Sequence, residues 1–296
     1  MSGATSGIGV VLAAYGRGAL VLTADAPEHC ALANRKLRVV CGDEVEWRRD
    51  SNAAPAVHSI APRRNELERI DARGRAEPVA ANIDRLAVVV APRPAPDWFV
   101  VDRYWAAALQ AAIDGLLIVN KTDLDGGSIA EEIANFRRLG LAVSEVGCHS
   151  GAGIEELRVR LSAGATVLVG QSGVGKSTLV NALVPTADAQ TAELTRDREG
   201  RHTTTTARRY RLGADAAIVD APGVRDFAPP ARIARAAERG FVEIIAHSVD
   251  CRFGDCQHLR EPGCAVRAAV EAGTISARRY ESYRRLLRLY VRFATR

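Results

Sequence analysis

Gly170-Gln171-Ser172-Gly173-Val174-Gly175-Lys176-Ser177-Thr178 decides how this chain is read. The spacing is that of a phosphate loop, G-x-x-x-x-G-K-[S/T], and the apolar run Thr166–Gly170 supplies the strand such a loop must follow. Its glycines let backbone N–H groups turn inward around phosphate oxygens, and the helix expected from Lys176 adds its positive end. Lys176 would neutralise β- and γ-phosphate charge, and Ser177 would place its hydroxyl on Mg²⁺. A glycine-rich strand-to-helix turn can exist without a ligand, but the lysine argues against that here. Lysine and arginine together number 40, yet the only lysines are Lys36, Lys121 and Lys176. A chain that uses arginine almost everywhere has placed its compact ammonium where phosphate chemistry prefers one.

Around this loop, apolar strands alternate with helices. The strands are expected at Leu86–Ala91, Gly115–Asn120, Leu141–Val146, Thr166–Gly170 and Ala216–Asp220. The helices are expected at Val101–Ala112, Ile129–Leu139, Ile154–Leu161 and from Lys176. Alternation of this kind predicts a mostly parallel, doubly wound α/β sheet. Asn120-Lys121-Thr122-Asp123 closes the second strand, at the end where open α/β sheets bind ligands. The Asp123 carboxylate can accept from both N1–H and the exocyclic amine of guanine; adenine offers no such pair. Lys121 can lay its stem along the base. Asp220-Ala221-Pro222-Gly223 closes another strand: Asp220 can hold Mg²⁺ through water, and the Gly223 N–H can sense a γ-phosphate. Between them lies Gly200-Arg201-His202-Thr203-Thr204-Thr205-Thr206, whose hydroxyls can join the Mg²⁺ shell.

Two other regions flank this core. Residues 8–80 hold short strand-like stretches, at Val10–Ala13, Ala19–Thr23, Leu37–Cys41, Glu44–Trp47, Ala56–Ile60 and Glu66–Ile70, as in a small β-barrel. Beyond about residue 230 the chain is helical and basic. Cys251-x4-Cys256-x-His258-x5-Cys264 there supplies three thiolates and an imidazole, sufficient for a closed tetrahedral zinc site. Cys30, Cys41 and Cys148 are scattered, and a disulfide framework is not expected. Residues 277–296 carry seven arginines and one glutamate, which reads either as an RNA-facing surface or as a solvated helix face.

The base-reading tetrad precedes the phosphate loop, the reverse of the ordinary order for a guanine-nucleotide switch, so the sheet reads as circularly permuted. The sequence resembles the circularly permuted GTPases that depend on the small ribosomal subunit, the RsgA or YjeQ family, over about residues 8–290. The resemblance rests on Asn120–Asp123, Gly170–Thr178, Gly200–Thr205, Asp220–Gly223 and the Cys/His cluster, all in family order. It implies an N-terminal OB-fold barrel over 1–80, a permuted P-loop GTPase domain over 81–228 and an α-helical zinc-binding domain over 229–296. It implies GTP/GDP, Mg²⁺ and one structural Zn²⁺. It implies the small ribosomal subunit and its rRNA as partners, a monomer, a cytoplasmic location and no membrane. Catalytic roles are implied for Lys176, Thr204, Thr205 and a water-orienting His202, with Thr205 joining Ser177 and Asp220 at Mg²⁺. Val224 follows Gly223 where a glutamine would orient the water, so unassisted hydrolysis should be slow.

One departure concerns the family's second base-contact motif, usually Ser-Ala-Lys. Alignment on Gly151-Ala152-Gly153 puts Gly147, Cys148 and His149 there. The Cys148 backbone N–H can still reach guanine O6, but the serine support is absent and weaker affinity is expected.

Composition sets the bounds. The chain has 296 residues, 47% hydrophobic and 25% charged, with a net charge of +5. That is an ordinary globular balance, enough for a substantial core and about two domains. No apolar run reaches the ~18 residues of a membrane span, and Met1–Val10 does not read as a secretory signal. Gly3-Ala4-Thr5-Ser6-Gly7-Ile8-Gly9 imitates a dinucleotide loop, but no strand precedes it, and no lysine has a tyrosine four residues earlier. Two other functions compete with GTP hydrolysis. One is a nucleotide-regulated RNA-docking module with negligible catalysis. The other is a P-loop kinase or ATPase, against which Asp123 argues.

Overall fold

In the N-terminal region apolar and polar residues alternate over short strands, a pattern that buries one face of a curled sheet. A computed structural model describes residues 5–50, 53–70, 76–187, 207–221 and 237–294. Strands β1 (Thr5–Tyr15), β2 (Gly18–Leu22), β3 (Pro27–Leu32), β4 (Glu44–Arg49) and β5 (Ala56–Ile60) pair in the order β1-β2-β3-β5-β4. β4 returns to β1 and closes a five-stranded barrel. Val11, Val21, Val45, Trp47 and Val57 fill it. Residues 5–9 of the dinucleotide-like stretch lie within β1 itself. Gly7 pairs with Trp47, and a Cβ on Gly9 would stand 2.7 Å from the Leu22 carbonyl oxygen.

Two local expectations fail. Leu37–Cys41 is a loop rather than a strand, because side chains take its backbone groups: Val40 N donates to Asp43 Oδ2 (2.8 Å), and Arg63 Nη2 donates to the Arg38 carbonyl (2.8 Å). Conversely β3 was not expected; it opens on Pro27, which a strand tolerates at its first residue. β6 (Glu66–Ile70) and β7 (Ala76–Ala81) form a separate hairpin across the expected boundary at residue 80. Its Leu67 and Ala80 belong to the core of the next region.

That region is the parallel sheet. β8 (Arg85–Val90), β9 (Asp114–Val119), β10 (Val143–Glu145), β11 (Gly164–Val169), β12 (Arg208–Arg211) and β13 (Ala216–Asp220) run in the order β10-β9-β8-β11-β13-β12, parallel except for β12. Continuous apolar runs are needed because both faces are covered. Val88 and Val90 of β8 face α1 (Trp98–Gln110) and α2 (Gly127–Arg138); Ala87 and Val89 face α3 (Ile154–Arg160) and α4 (Lys176–Leu183). β12, which the sequence reading passed over, also pairs with β1 at Ala13 and Arg208, so barrel and sheet are continuous. The C-terminal region holds α5 (Val242–Ser248), α6 (Ala265–Glu271) and α7 (Ala277–Ala294) around Phe241, Ile244, Tyr283, Leu286 and Leu287. It packs on α1: a Cβ on Gly240 would meet the Ala106 Cβ at 2.2 Å, so only glycine allows that approach. No described helix is long and apolar enough to cross a membrane.

Candidate functional site

Parallel strands end together: the carboxyl ends of β8, β9, β10, β11 and β13 lie along one edge of the sheet, where the loops after β8, β9, β10 and β11 meet. The turn into α4 is made by Gly170, Gly173 and Gly175, each with positive φ. A Cβ at Gly175 would lie 2.4 Å from Asn120 Nδ2, and one at Gly170 would lie 2.3 Å from the Val89 carbonyl oxygen. Val174 is buried beneath the turn, while Ser172, Ser177 and Thr178 are exposed. Lys176 lies back over the loop, its Nζ donating to the carbonyls of Gly170 (2.8 Å) and Gln171 (2.9 Å). The Gln171 side chain reaches the next loop, where its Oε1 accepts from Asp97 N at 3.1 Å. Asp97 caps α1 by accepting from Phe99 and Val100 N–H.

The tetrad after β9 stands directly against this turn. Asn120 is buried, and its Nδ2 donates to the Val174 carbonyl at 2.9 Å. Lys121 takes a positive φ, and its Nζ donates to Gly173 (2.7 Å) and Arg93 (3.0 Å) carbonyls. Thr122 N donates to the Val146 carbonyl at 3.3 Å, which brings in the loop after β10. Asp123 is exposed at the rim. Cys148 donates its thiol to Asn120 Oδ1 at 3.2 Å. Burial raises its pKa, with the Asp123 charge adding to that, so the thiol keeps its proton.

Asp220 ends β13 on the far side of the loop. Burial raises its pKa, against Lys176 and Arg208, which lower it. His202, Thr204, Thr205 and Gly223 lie outside the described residues.

The second site is the Cys/His cluster. The ligand atoms of Cys251, Cys256, His258 and Cys264 all lie within 4.8 Å of one another. His258 Nδ1 is 3.5 Å from the Sγ atoms of both Cys251 and Cys264, which are 3.9 Å apart. A tetrahedral ion with bonds of ~2.3 Å to sulfur and ~2.0 Å to nitrogen needs edges of about this length, so the four residues fit zinc. Behind it, His258 Nε2 lies 3.7 Å from Glu238 Oε1, beyond hydrogen-bond length. Backbone N–H groups of Gln257, Leu259 and Arg260 all donate to Glu261. Burial would raise the Glu261 pKa, but these donors outweigh it and hold it at about 2. Tyr280 and Tyr283 of α7 donate to the His258 and Gln257 carbonyls, at 2.5 and 3.0 Å.

The arginine-dense helix divides. Arg279 is wholly buried, with Nε and Nη2 on Glu243 (2.5 and 3.0 Å) and Nη1 on Asp102 (2.7 Å). Arg278 bonds Asp102 and Glu132, each at 2.6 Å. Burial would lower the Arg279 pKa, but Asp102 and Glu243 hold it above its ordinary value. Only part of the segment is therefore a solvated or ligand-facing surface: Arg285 and Arg288 are exposed around Glu281. Sequence reasoning missed Asp102, Glu132 and Glu243. The one available signal was Asp102, an acid inside the apolar face Val101–Ala108.

A model of the RsgA GTPase family matches residues 60–229. The protein called small ribosomal subunit biogenesis GTPase RsgA in Pseudomonas aeruginosa is 42% identical over 285 residues, covering 94% of this chain and 84% of its own length. The protein of that name from Azotobacter vinelandii is 42% identical over 264 residues, covering 87% of this chain and 77% of its own. Among solved structures, YjeQ from Thermotoga maritima superposes with a TM-score of 0.74 at 24% identity, over 97% of this chain and 99% of that one. YloQ, described as a circularly permuted GTPase, gives 0.71 at 23%, over 97% and 95%. At those identities the likeness is one of fold.

Proposed function

The chain belongs to the RsgA GTPase family, and from that premise we propose that it hydrolyses GTP in the biogenesis of the small ribosomal subunit, with turnover stimulated by that subunit. The observation that carries the reading is the bond from Asn120 Nδ2 to the Val174 carbonyl. One buried side chain ties the base-reading turn to the phosphate loop, which suits a ligand with a purine at one end and phosphates at the other.

Asp123 accepts the two guanine donors, and the Cys148 N–H reaches O6. Backbone N–H groups of Gly170–Thr178 cradle the phosphates, and Lys176 leaves the Gly170 and Gln171 carbonyls to meet them. Ser177, Thr205 and Asp220 would hold Mg²⁺, which when bound neutralises charge on the β- and γ-phosphates. His202 orients the attacking water, Thr204 assists, and Gly223 senses the γ-phosphate. Cys251, Cys256, His258 and Cys264 would hold one Zn²⁺, whose binding free energy is folding free energy for the C-terminal region. The barrel and the exposed arginines of α7 contact rRNA, and the protein acts in the cytoplasm as a monomer without membrane attachment.

The test is GTP turnover by the purified protein with and without small subunits. Turnover should be slow alone and rise on addition of subunits, and His202→Ala should lose the stimulation. Stimulated hydrolysis by His202→Ala at the wild-type rate would remove that residue from the mechanism. Val224, in place of a water-orienting glutamine, favours a second reading, an RNA-docking module that hydrolyses negligibly. Single-turnover hydrolysis that stays unstimulated by subunits would select it. Base reading is tested by Asp123→Asn, which should move preference from guanine to xanthine nucleotides.

A further inference from the structure

The loop after β10 departs from the family pattern, and the geometry explains how the pocket accommodates that. A Cβ at Gly147 would stand 2.5 Å from Ser150 Oγ and 3.1 Å from Thr122 Oγ1, so a side chain there would displace the Ser150 hydroxyl. The turn is locked from inside, with Gly151 N donating to the Gly147 carbonyl (2.8 Å) and Gly147 N to the Ala152 carbonyl (2.9 Å). Residue 147, a glycine, offers no hydroxyl. The neighbouring side chain offers a thiol instead, and it points at Asn120.

Asn120 is 1% exposed, so each polar atom of its amide needs a protein partner. Nδ2 is taken by Val174 O. Oδ1 accepts from Lys121 N at 2.8 Å and from Cys148 Sγ at 3.2 Å. If the amide rotated by half a turn, its oxygen would face the Val174 carbonyl and its NH₂ would face two donors. The Lys121 N–H and the thiol thus act together against that rotation. Lys121 itself sits at φ 61°, a strained backbone for a residue other than glycine, in a turn that leads straight to Asp123.

We propose that Cys148 is a positioning residue for nucleotide recognition: by donating its thiol to Asn120 Oδ1, it holds the Asn120 amide, and through it the Lys121–Asp123 turn, in the orientation that reads the base. This rests on the guanine reading above and adds the chemical group that preorganises the reader. The thiol is a weak donor, so its loss should weaken binding rather than abolish it.

The experiment measures dissociation constants of the full-length, zinc-loaded protein for GDP and for inorganic tripolyphosphate, both with Mg²⁺, in the wild type, Cys148→Ala and Cys148→Ser. The alanine variant should bind GDP about fivefold more weakly, as fits one lost hydrogen bond. Serine should restore affinity to within about twofold, because its hydroxyl donates to the same oxygen. Tripolyphosphate binding should be the same in all three. The proposal is overturned if alanine binds GDP like the wild type, if serine is as weak as alanine, or if tripolyphosphate affinity falls with that of GDP. A separate arm keeps the two readings apart. An Asp123→Asn variant that fails to move preference toward XDP contradicts guanine reading itself, whatever the Cys148 variants do.

Discussion

The nucleotide edge of the sheet and the C-terminal helical region handle charge in opposite ways. At the nucleotide edge the lysine ammonium groups rest on backbone carbonyls, Lys176 on Gly170 and Gln171 and Lys121 on Gly173 and Arg93, and the Lys176 charge also acts on Asp220. Such neutral partners are easily exchanged for an anion. In the C-terminal region Arg278 and Arg279 are matched by Asp102, Glu132 and Glu243 and turned inward. A lysine that rests on carbonyls can exchange them for the oxygens of a ligand, whereas an arginine bonded to two carboxylates belongs to the architecture. Counting basic residues along the sequence does not separate these roles.

The largest expected effect tests whether the two regions stand apart. Chelating zinc from the loaded protein should unfold the C-terminal region, seen as loss of near-ultraviolet dichroism from Tyr280, Tyr283 and Tyr290. Structural zinc contributes on the order of 10 kcal/mol in small domains. GDP should still bind, since its loops are built on the sheet; loss of GDP binding on chelation would break the contrast. Next, Arg279→Ala should destabilise the protein by about 3–5 kcal/mol, because it leaves buried Asp102 and Glu243 without their partner. Denaturant unfolding measures this, and a change under 1 kcal/mol would make the network ornamental.

Asn120→Ala sharpens the other side. It removes the link between tetrad and phosphate loop and should weaken GDP binding by about 1–3 kcal/mol, read by titration calorimetry, with the unfolding midpoint much less affected. The smallest effect belongs to Tyr283→Phe. Loss of its bond to the Gln257 carbonyl should lower stability by about 1 kcal/mol and leave GDP affinity unchanged.

Legibility followed the same division. The phosphate loop, the tetrad and the Cys/His spacing are local strings whose chemistry is fixed by residue type and separation, and they stand out in one chain. The apolar runs Leu86–Ala91, Gly115–Asn120, Thr166–Gly170 and Ala216–Asp220 likewise declare a sheet covered on both faces. The barrel was legible as a class but not strand by strand: Leu37–Cys41 has strand-like residues, yet Asp43 and Arg63 take its backbone groups.

What the amino-acid order determined by itself is therefore the set of chemical parts: a glycine-rich loop that can cradle phosphates, a carboxylate that can meet a purine edge, four residues that can hold a metal and the alternation that builds a parallel sheet. These depend on residues near one another along the chain, where covalent geometry sets the distances. Tertiary structure alone decided which parts touch. Asn120 meets Val174 across 54 positions, Asp102 meets Arg279 across 177, and Cys148 meets Asn120 across 28. Those pairings arise from packing and burial, which force polar groups from distant segments to satisfy one another once water is gone.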